Sequence, residues 1–495
     1  MRKVVIIGGK LQGVEASYLA HKAGIRSALI DMNEGTPASG VADEVFLCDV
    51  RRLPGAGPDN VPSAVVHTAS DAALCAASNS SNEEIINLLL SADLILPALE
   101  DKEALDAIVR LSNKYGLPLA FSPDAYAVSS SKLKSDALIH RLGIPSPAYA
   151  ATSSKLKSGE CIHRCEIPSR ADADMPKDRR WIVKPSEGSG SRGVKVFPSL
   201  EEAQAFAKKQ TPGHAPAEAH PPADAPAPAE AHPPAATSPI TAPARATEQT
   251  KTEDMVVQEY LDGPSYSIEV IGGPGSYRTY AITQIHVDEA SDCNLVTTPC
   301  NITPQQDAAL RRDTVKLAES TKLYGVMDVE VILHNGEMKV LEIDARIPSQ
   351  TPAAVLASTG VNMLEEIMAL AERSATATPV DTPIIAAATP VATPGTATAT
   401  LVPTTTPRYA SYENIIATRE SVVSKGEHIM GKAGPLTLRT GWCGADESMT
   451  DYREGCPEFR GIFINAADTE SELARKRSRM YEAIAALMRR KKNEG

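Results

Sequence analysis

The chain reads as a Rossmann-like α/β domain, then a larger α+β body, then a small α+β region. Three observations predict this. Strand and helix patterns alternate over 1–125. Over 126–373 strands and helices mix without that rhythm, which marks a second, distinct body. Two tracts of low complexity, 210–250 and 374–407, interrupt the body and separate it from residues 408–495.

In the first domain Lys3–Ile7 is a buried strand, followed by a glycine turn and a helix over Gln12–Ala23. Ser27–Ile30 and Ala92–Leu96 are further strands, ending at Asp31 and Pro97. A helix over Lys102–Tyr115 and a short strand at Leu117–Phe121 follow. This βαβ order gives a parallel, doubly wound sheet, whose ligands gather at the carboxyl ends of the strands. In the body, strands are expected at Trp181–Lys184, Val194–Phe197, Met255–Tyr260, Tyr266–Ile271, Tyr280–Val287, Val326–Leu333 and Met338–Ile343. Helices are expected at Ser131–Leu142, Leu200–Lys209, Gln305–Thr321 and Asn362–Glu372, with a final one at Ser471–Lys491. Asn335-Gly336 is a hairpin turn.

The first tract repeats Pro-Ala-Glu-Ala-His-Pro-Pro-Ala from Pro216 and again from Pro228; the second is rich in Thr, Ala and Pro. Neither has the apolar content for a core, so both are expected to be extended and solvated.

Composition excludes several classes. Apolar residues make up 42% of the 495, and charged residues 23%, which fits a globular protein with a sizeable core. The net charge of −12 argues against a general nucleic-acid binder. No apolar run approaches the ~18 residues of a membrane span. The cysteines are scattered, and the Cys161–Cys165 cluster lacks a second pair to complete a zinc site. Free thiols without a leader segment point to the cytoplasm.

Four motifs carry chemistry. Gly8-Gly9-Lys10-Leu11-Gln12-Gly13 is close to a dinucleotide fingerprint, but Lys10 occupies the glycine position that admits a pyrophosphate. Lys10 can meet a phosphate or carboxylate at the helix N-terminus, and Asp31 stands where a ribose-binding acid would. A Rossmann-like domain that has lost its ligand is the equal alternative. In Trp181-Ile-Val-Lys184 a strand delivers a lysine to the small-residue loop Gly188–Gly193. Lys184 can neutralise phosphate oxygens while the loop closes over them. Near Val256–Asp262, backbone groups of Glu259 and Leu261 can read an adenine edge. The sharpest motif is Met327-Asp328-Val329-Glu330, a hairpin, then Glu342-Ile343-Asp344-Ala345-Arg346. With period two, Asp328 and Glu330 share one face, and Glu342, Asp344 and Arg346 share another register. Carboxylates this dense repel unless cations sit among them, and magnesium takes such oxygen ligands. Arg346 adds a bidentate donor for phosphate or carboxylate.

The order of these parts resembles the ATP-grasp superfamily. Gly8–Gly13, Ala42-Asp43-Glu44, Gly143–Pro147, Met327–Glu330 and above all Glu342–Pro352 resemble its pyrrolysine-biosynthesis ligases, over nearly the whole chain outside the tracts and an insert near 152–178. The resemblance implies a Rossmann-like pre-ATP-grasp domain at 1–125, an ATP-grasp domain at 126–373 with the 210–250 insertion, the linker 374–407, and the region 408–495. It implies a ligase that uses ATP and Mg2+ to join 3-methyl-D-ornithine to L-lysine through an acyl phosphate. It implies small-molecule partners, no nucleic acid and no membrane, and leaves a homodimer open.

Carried over by position, Lys132 and Lys184 hold ATP phosphates under a loop that includes Ser189, Gly190 and Ser191, and Glu259 and Leu261 hold adenine. Glu330, Glu342 and Asp344 hold magnesium, and Arg346 stabilises the transferring phosphoryl group or the ornithine carboxylate. Asp328, Glu269, Asp288 and Ser349 are candidates for the ornithine amines, and Leu11, Gln12 and Glu100 for lysine. Lys10, Asp31 and Asp49 can hold a nucleotide in the first domain. Ser265 stands where many superfamily members place a ribose-binding glutamate, and Asp344 where many have asparagine. Competing expectations are a ligase for another amino-acid pair or for a nucleotide precursor, an oxidoreductase built on the first domain, and a non-catalytic nucleotide sensor.

Overall fold

The computed structural model describes residues 1–57, 81–152, 179–187, 193–210, 254–376 and 407–489. The two tracts (edge residues apart), the Cys161–Cys165 cluster and the loop residues Ser189, Gly190 and Ser191 lie outside the described residues. The chain forms two compact units. One comprises Met1–Pro147 and Leu261–Gly495, the other Ala148–Glu187 and Arg192–Tyr260.

In the larger unit the first sheet runs Glu44–Leu47, Arg26–Asp31, Lys3–Ile7, Leu94–Pro97, all parallel, as the βαβ rhythm requires. The expected strand at Leu117–Phe121 is reduced to one bridge between Leu119 and Ile95. Pro118 accepts from the Ile95 N–H at 2.7 Å but has no N–H to return, so the ladder cannot propagate. The glycine turn after the first strand is steric in origin. A Cβ on Gly8 (φ +113°) would lie 2.4 Å from the Ala98 carbonyl oxygen, and one on Gly13 would lie 2.0 Å from that of Gly8.

The helix Leu11–Ala23 that follows is pinned at two points. The Ala353 N–H donates to Glu15 Oε1 at 2.5 Å, and Asn362 Nδ2 donates to the Leu19 carbonyl at 2.8 Å. Helices Thr351–Thr359 and Met363–Thr376 thus fix the helix whose first turn carries Gln12.

Among the described residues the main sheet has eleven strands. Its path begins Glu337–Asp344, Gly325–His334, Ser265–Gly273, Thr283–Val287, Cys293–Thr298, and continues through Tyr409–Thr418, Glu458–Ala467, Glu447–Thr450 and Thr437–Thr440. Residues of the 408–495 region therefore extend the sheet that carries the acidic hairpin, by pairing Tyr409–Thr418 with Cys293–Thr298. The strand expected over Tyr280–Val287 is shortened to Thr283–Val287, and a further strand, Ser276–Thr279, precedes it. Both pair with Ser265–Gly273, but the register advances by one residue between them, which breaks the ladder at 280–282. The core beneath the hairpin includes Ile268, Val270, Met327, Val329, Val331, Val340, Ile343 and Ala345.

The smaller unit holds an antiparallel sheet in the order Tyr149–Thr152, Met255–Glu259, Trp181–Pro185, Lys195–Phe197. Helix Leu200–Gln210 buries Ala203 and Ala207 against Trp181, Val183, Met255 and Val257. No single helix among the described residues is long and apolar enough to cross a membrane.

Candidate active site

The acidic motif forms the hairpin its turn predicts. Strands Gly325–His334 and Glu337–Asp344 are joined through Asn335 (φ +52°) and Gly336 (φ +82°), the positive-φ pair that a two-residue turn needs. The expectation placed the acids of the two strands in separate registers. Pairing makes them direct cross-strand partners instead: Asp328 faces Asp344 and Glu330 faces Glu342. The register slips by one residue just after Glu330, so the strict alternation holds only on the acidic side of the slip. On the other flank Ser267 pairs with Glu330, and Glu269 with Asp328.

These acids line a cavity of about 240 Å³ in the larger unit. That is below the ~300–1,000 Å³ of sites for drug-sized ligands and suits an amino acid. Its walls also include Gln12, Glu100, Asp292, Arg346, Ser349, Gln350, Thr351 and Glu427. Seven of the described lining residues are acids, and Arg346 is the one lysine or arginine among them. Arg346 Nη2 lies 2.6 Å from Asp344 Oδ2 and 2.5 Å from Glu100 Oε1. Gln12 Nε2 donates to the same Glu100 oxygen at 3.3 Å. At the far end of the hairpin pair, Lys132 Nζ lies 3.0 Å from Glu342 Oε1. Glu330 makes no hydrogen bond or ion pair through its carboxylate among the described residues.

The electrostatics follow from the crowding. Desolvation of its carboxylate, and then repulsion from Asp328, Glu342, Asp344 and Glu427, pushes Glu330 up to about 8, although the residue as a whole is exposed. Burial raises Asp344 to about 6, less far because Arg346 opposes the rise. Burial and Glu269 hold Asp328 well above the ordinary carboxylate range, and burial also raises Glu427. A pocket with these acids favours cations.

The expected site residues fall into three groups. Gln12, Glu100, Asp328, Glu330, Glu342, Asp344, Arg346 and Ser349 come together in the cavity, with Lys132 reaching Glu342. Glu269, Asp288 and Leu11 are not among its lining residues. Glu269 is fully buried in the Ser265–Gly273 strand behind Asp328, and burial pushes it up to about 7. Asp288 accepts from the backbone N–H groups of Ala290, Asp292 and Gly426, so its carboxylate clamps a loop. Leu11 packs partly buried against the main core cluster.

The third group lies elsewhere. Asp31 Oδ2 accepts from the Gly9 N–H at 2.6 Å and so ties down the glycine turn, while Lys10 is an exposed N-cap residue. Asp49 is held by Arg51 at 2.8 Å and Arg52 at 3.5 Å. In the smaller unit Lys184 lies on the Trp181–Pro185 strand. Glu259 ends the Met255–Glu259 strand, with its carboxylate 3.3 Å from Arg179 and its N–H donating to the Ala148 carbonyl. Leu261 is buried at the start of the larger unit's second segment.

Sequence reasoning missed Glu427 and Asp292. Glu427 Oε2 accepts from Ser349 Oγ at 3.0 Å and Gln350 Nε2 at 2.8 Å. Asp292 Oδ2 accepts from the His428 N–H and its ring Nδ1. Both acids lie in stretches without strand or helix periodicity, and no local signal marks them.

Comparison with known proteins agrees with this geometry. A family model described as an ATP-grasp domain matches residues 236–350, which contain the hairpin and its partner strand. The 3-methyl-D-ornithine–L-lysine ligase of Methanosarcina mazei is 27% identical over 365 residues, covering 74% of this chain and 71% of the relative. The chain carries an ATP-grasp domain and is similar to carboxylate–amine ligases.

Solved structures share the overall fold. N5-carboxyaminoimidazole ribonucleotide synthetase from Thermotoga maritima matches 98% of each chain with a TM-score of 0.52 at 15% identity. The biotin carboxylase domain dimer of Hydrogenobacter thermophilus 2-oxoglutarate carboxylase, solved with MgADP, ADP and bicarbonate, matches 96% of this chain and 89% of its own, with a TM-score of 0.56 at 15% identity.

The acids of this ATP-grasp hairpin fit a divalent cation. They are hard oxygen donors, and Glu330 has no competing partner among the described residues. No three acids, histidines or cysteines among the described residues are already gathered to hold an ion by themselves. Lys132 and Arg346 occupy Glu342 and Asp344. A cation bound there must compete with those two side chains and draw further oxygens from phosphate.

Proposed function

We propose that the chain joins the carboxylate of a D-ornithine-type diamino acid, 3-methyl-D-ornithine as in the Methanosarcina relative, to the ε-amine of L-lysine through an acyl phosphate. The observation that carries this reading is the charge balance of the cavity, with seven acids against one arginine among the described lining residues. Substrates with several ammonium groups satisfy those acids. A neutral acceptor would leave the excess negative charge of the cavity uncompensated, and like charges this close disfavour one another's ionised forms.

The reaction begins with two anions that repel each other, a carboxylate and the γ-phosphate of ATP. Arg346, held between Asp344 and Glu100, is placed to neutralise the substrate carboxylate or the transferring phosphoryl group. Magnesium held by Glu330, Glu342 and Asp344 would supply charge neutralisation of the phosphate oxygens. Lys132 stands beside Glu342 and would serve the phosphates from the same side. The phosphate role read for Lys184 rests on the sequence resemblance. A carboxylate oxygen of the diamino acid attacks the γ-phosphorus, ADP leaves, and a mixed anhydride forms. The lysine ε-nitrogen then attacks the acyl carbon, phosphate leaves, and the amine gives up a proton as the amide forms. Gln12 and Glu100, at the first turn of the Leu11–Ala23 helix and the cavity rim, are the residues proposed to receive lysine.

The test is product analysis. The purified chain with ATP, magnesium, D-ornithine and L-lysine should give ADP, phosphate and an isopeptide through the lysine ε-nitrogen. ADP formation without any amide would count against the reading.

A further inference from the structure

Glu427 differs from the other acids of the cavity in where it comes from and how it is held. It lies in the 408–495 region, in the short helix Glu427–Lys432, and not on the hairpin. Its neighbours on both sides are fixed by acids of the 288–292 loop. Gly426 N–H donates to Asp288 Oδ2 at 2.9 Å, and His428 N–H donates to Asp292 Oδ2 at 2.9 Å. Its own Oε2 is fixed by Ser349 and Gln350.

Gln350 is itself immobilised. Its backbone sits at φ +78°, in a three-residue turn closed by the Thr351 N–H donating to the Ser349 carbonyl at 3.0 Å. Its Oε1 accepts from Cys293 Sγ at 3.1 Å and Asn414 Nδ2 at 3.4 Å. The Glu427 side chain is therefore pre-set, with little ordering left for a ligand to impose.

What is pre-set is one oxygen. Glu427 is partly buried, its Oε1 has no hydrogen-bond partner among the described residues, and the side chain lines the cavity. An oriented acceptor with one free position, next to the hydroxyl of Ser349, suits a directional N–H donor. It offers a divalent cation a single first ligand, because Oε2 is already committed to two donors. The substrate carboxylate belongs at Arg346, the lone lysine or arginine among the described lining residues. The acids of the hairpin serve the reacting end.

We propose that Glu427 receives the side-chain ammonium of the diamino acid and thereby selects it over an amino acid with an uncharged side chain. This rests on the amino-acid ligase reading above and names the group that sets its substrate preference. Asp288 and Asp292 are positioning residues that hold Glu427 in place through Gly426 and His428. The subsite belongs to the region that continues the main sheet beyond Cys293–Thr298, so selection and phosphate chemistry come from different parts of the chain.

The experiment compares D-ornithine with D-norvaline, which has the same carbon chain without the δ-amine, as first substrate for the full-length protein and for Glu427→Gln. Glutamine keeps an oxygen for Ser349 and Gln350 but loses the charge. The specificity constant for D-ornithine should fall about 30-fold, the scale of one charge-assisted hydrogen bond, mainly through KM. D-norvaline and the KM for ATP should change by no more than about threefold. Should Glu427→Gln not fold, Glu427→Asp carries the same comparison, because it draws the carboxylate back by one methylene and should also narrow the preference. An unchanged preference for D-ornithine in a folded variant, or equal losses on both amino acids, overturns the assignment. If the unaltered protein makes no amide from any amino acid, the ligase reading falls and this assignment with it. If it makes the ornithine amide and the variant keeps its preference, the Glu427 assignment alone falls.

Discussion

Asp328 and Asp344 face each other directly across adjacent antiparallel strands, with Glu330 and Glu342 forming the next such pair. Like charges opposite one another destabilise a sheet, so this arrangement costs stability unless cations are bound. Magnesium with ADP or ATP should therefore raise the melting temperature. Calorimetry with and without a chelator checks this, and no shift at saturating nucleotide would separate the hairpin from the metal.

The same pairs predict which substitutions stop turnover. Glu342→Gln and Asp344→Ala should leave a folded protein whose ligation rate is about 100-fold lower or worse, because each removes a carboxylate proposed to hold magnesium. Circular dichroism establishes the fold, and ADP release at saturating magnesium measures the rate. Near-normal turnover in folded Glu342→Gln would remove the metal assignment.

Substrate roles separate in steady-state kinetics. Glu100→Ala should raise the KM for lysine about tenfold while the KM for ATP moves little, since Glu100, hydrogen-bonded to Gln12, is proposed to receive lysine. Asp328→Ala should impair use of the ornithine partner instead. Equal, small effects on all three substrates would undo the pocket assignment.

A further prediction concerns Glu15, away from the chemistry. Burial pushes it up to about 8, although Ala353 donates to it, and one of its oxygens has no partner. Its folded pKa lies above the ordinary 4.5, so between pH 4.5 and 8 the unfolded chain ionises there while the folded chain stays protonated. The folded protein thus loses stability as pH rises through that window. Glu15→Gln keeps an acceptor for Ala353 and removes the ionisation. It should gain on the order of 2–4 kcal/mol over the parent at pH 8, and little at pH 5. Denaturant titrations at the two pH values measure it, and a gain independent of pH would show that Glu15 is charged in the fold.

Much of this molecule is legible in its residues because the signals are local. The acidic hairpin follows from Asn335-Gly336 and from apolar Val329, Ile343 and Ala345 alternating with acids. The glycine turn and helix at Gly8–Ala23 follow from glycine spacing. The exact face pairing is not legible, since a one-residue slip after Glu330 resets the alternation. Helix Thr351–Thr359 escapes notice because its Ala-rich sequence has no polar face to give a period, although its proline in the first turn is a start signal. Glu427 is illegible for a different reason. It meets Ser349 and Gln350 across more than seventy residues of chain, through a sheet pairing that no spacing encodes.

The cavity, with seven acids among its described lining residues, is proposed to receive a diamino acid and lysine. Mass spectrometry of the products formed from ATP, magnesium, D-ornithine and L-lysine tests it most directly. One new amide joining the ornithine carboxyl carbon to the lysine ε-nitrogen, formed in step with ADP, is expected. An amide through the lysine α-nitrogen would contradict the proposed placement of lysine, and ATP turnover that yields no amide from these substrates would contradict the claim itself.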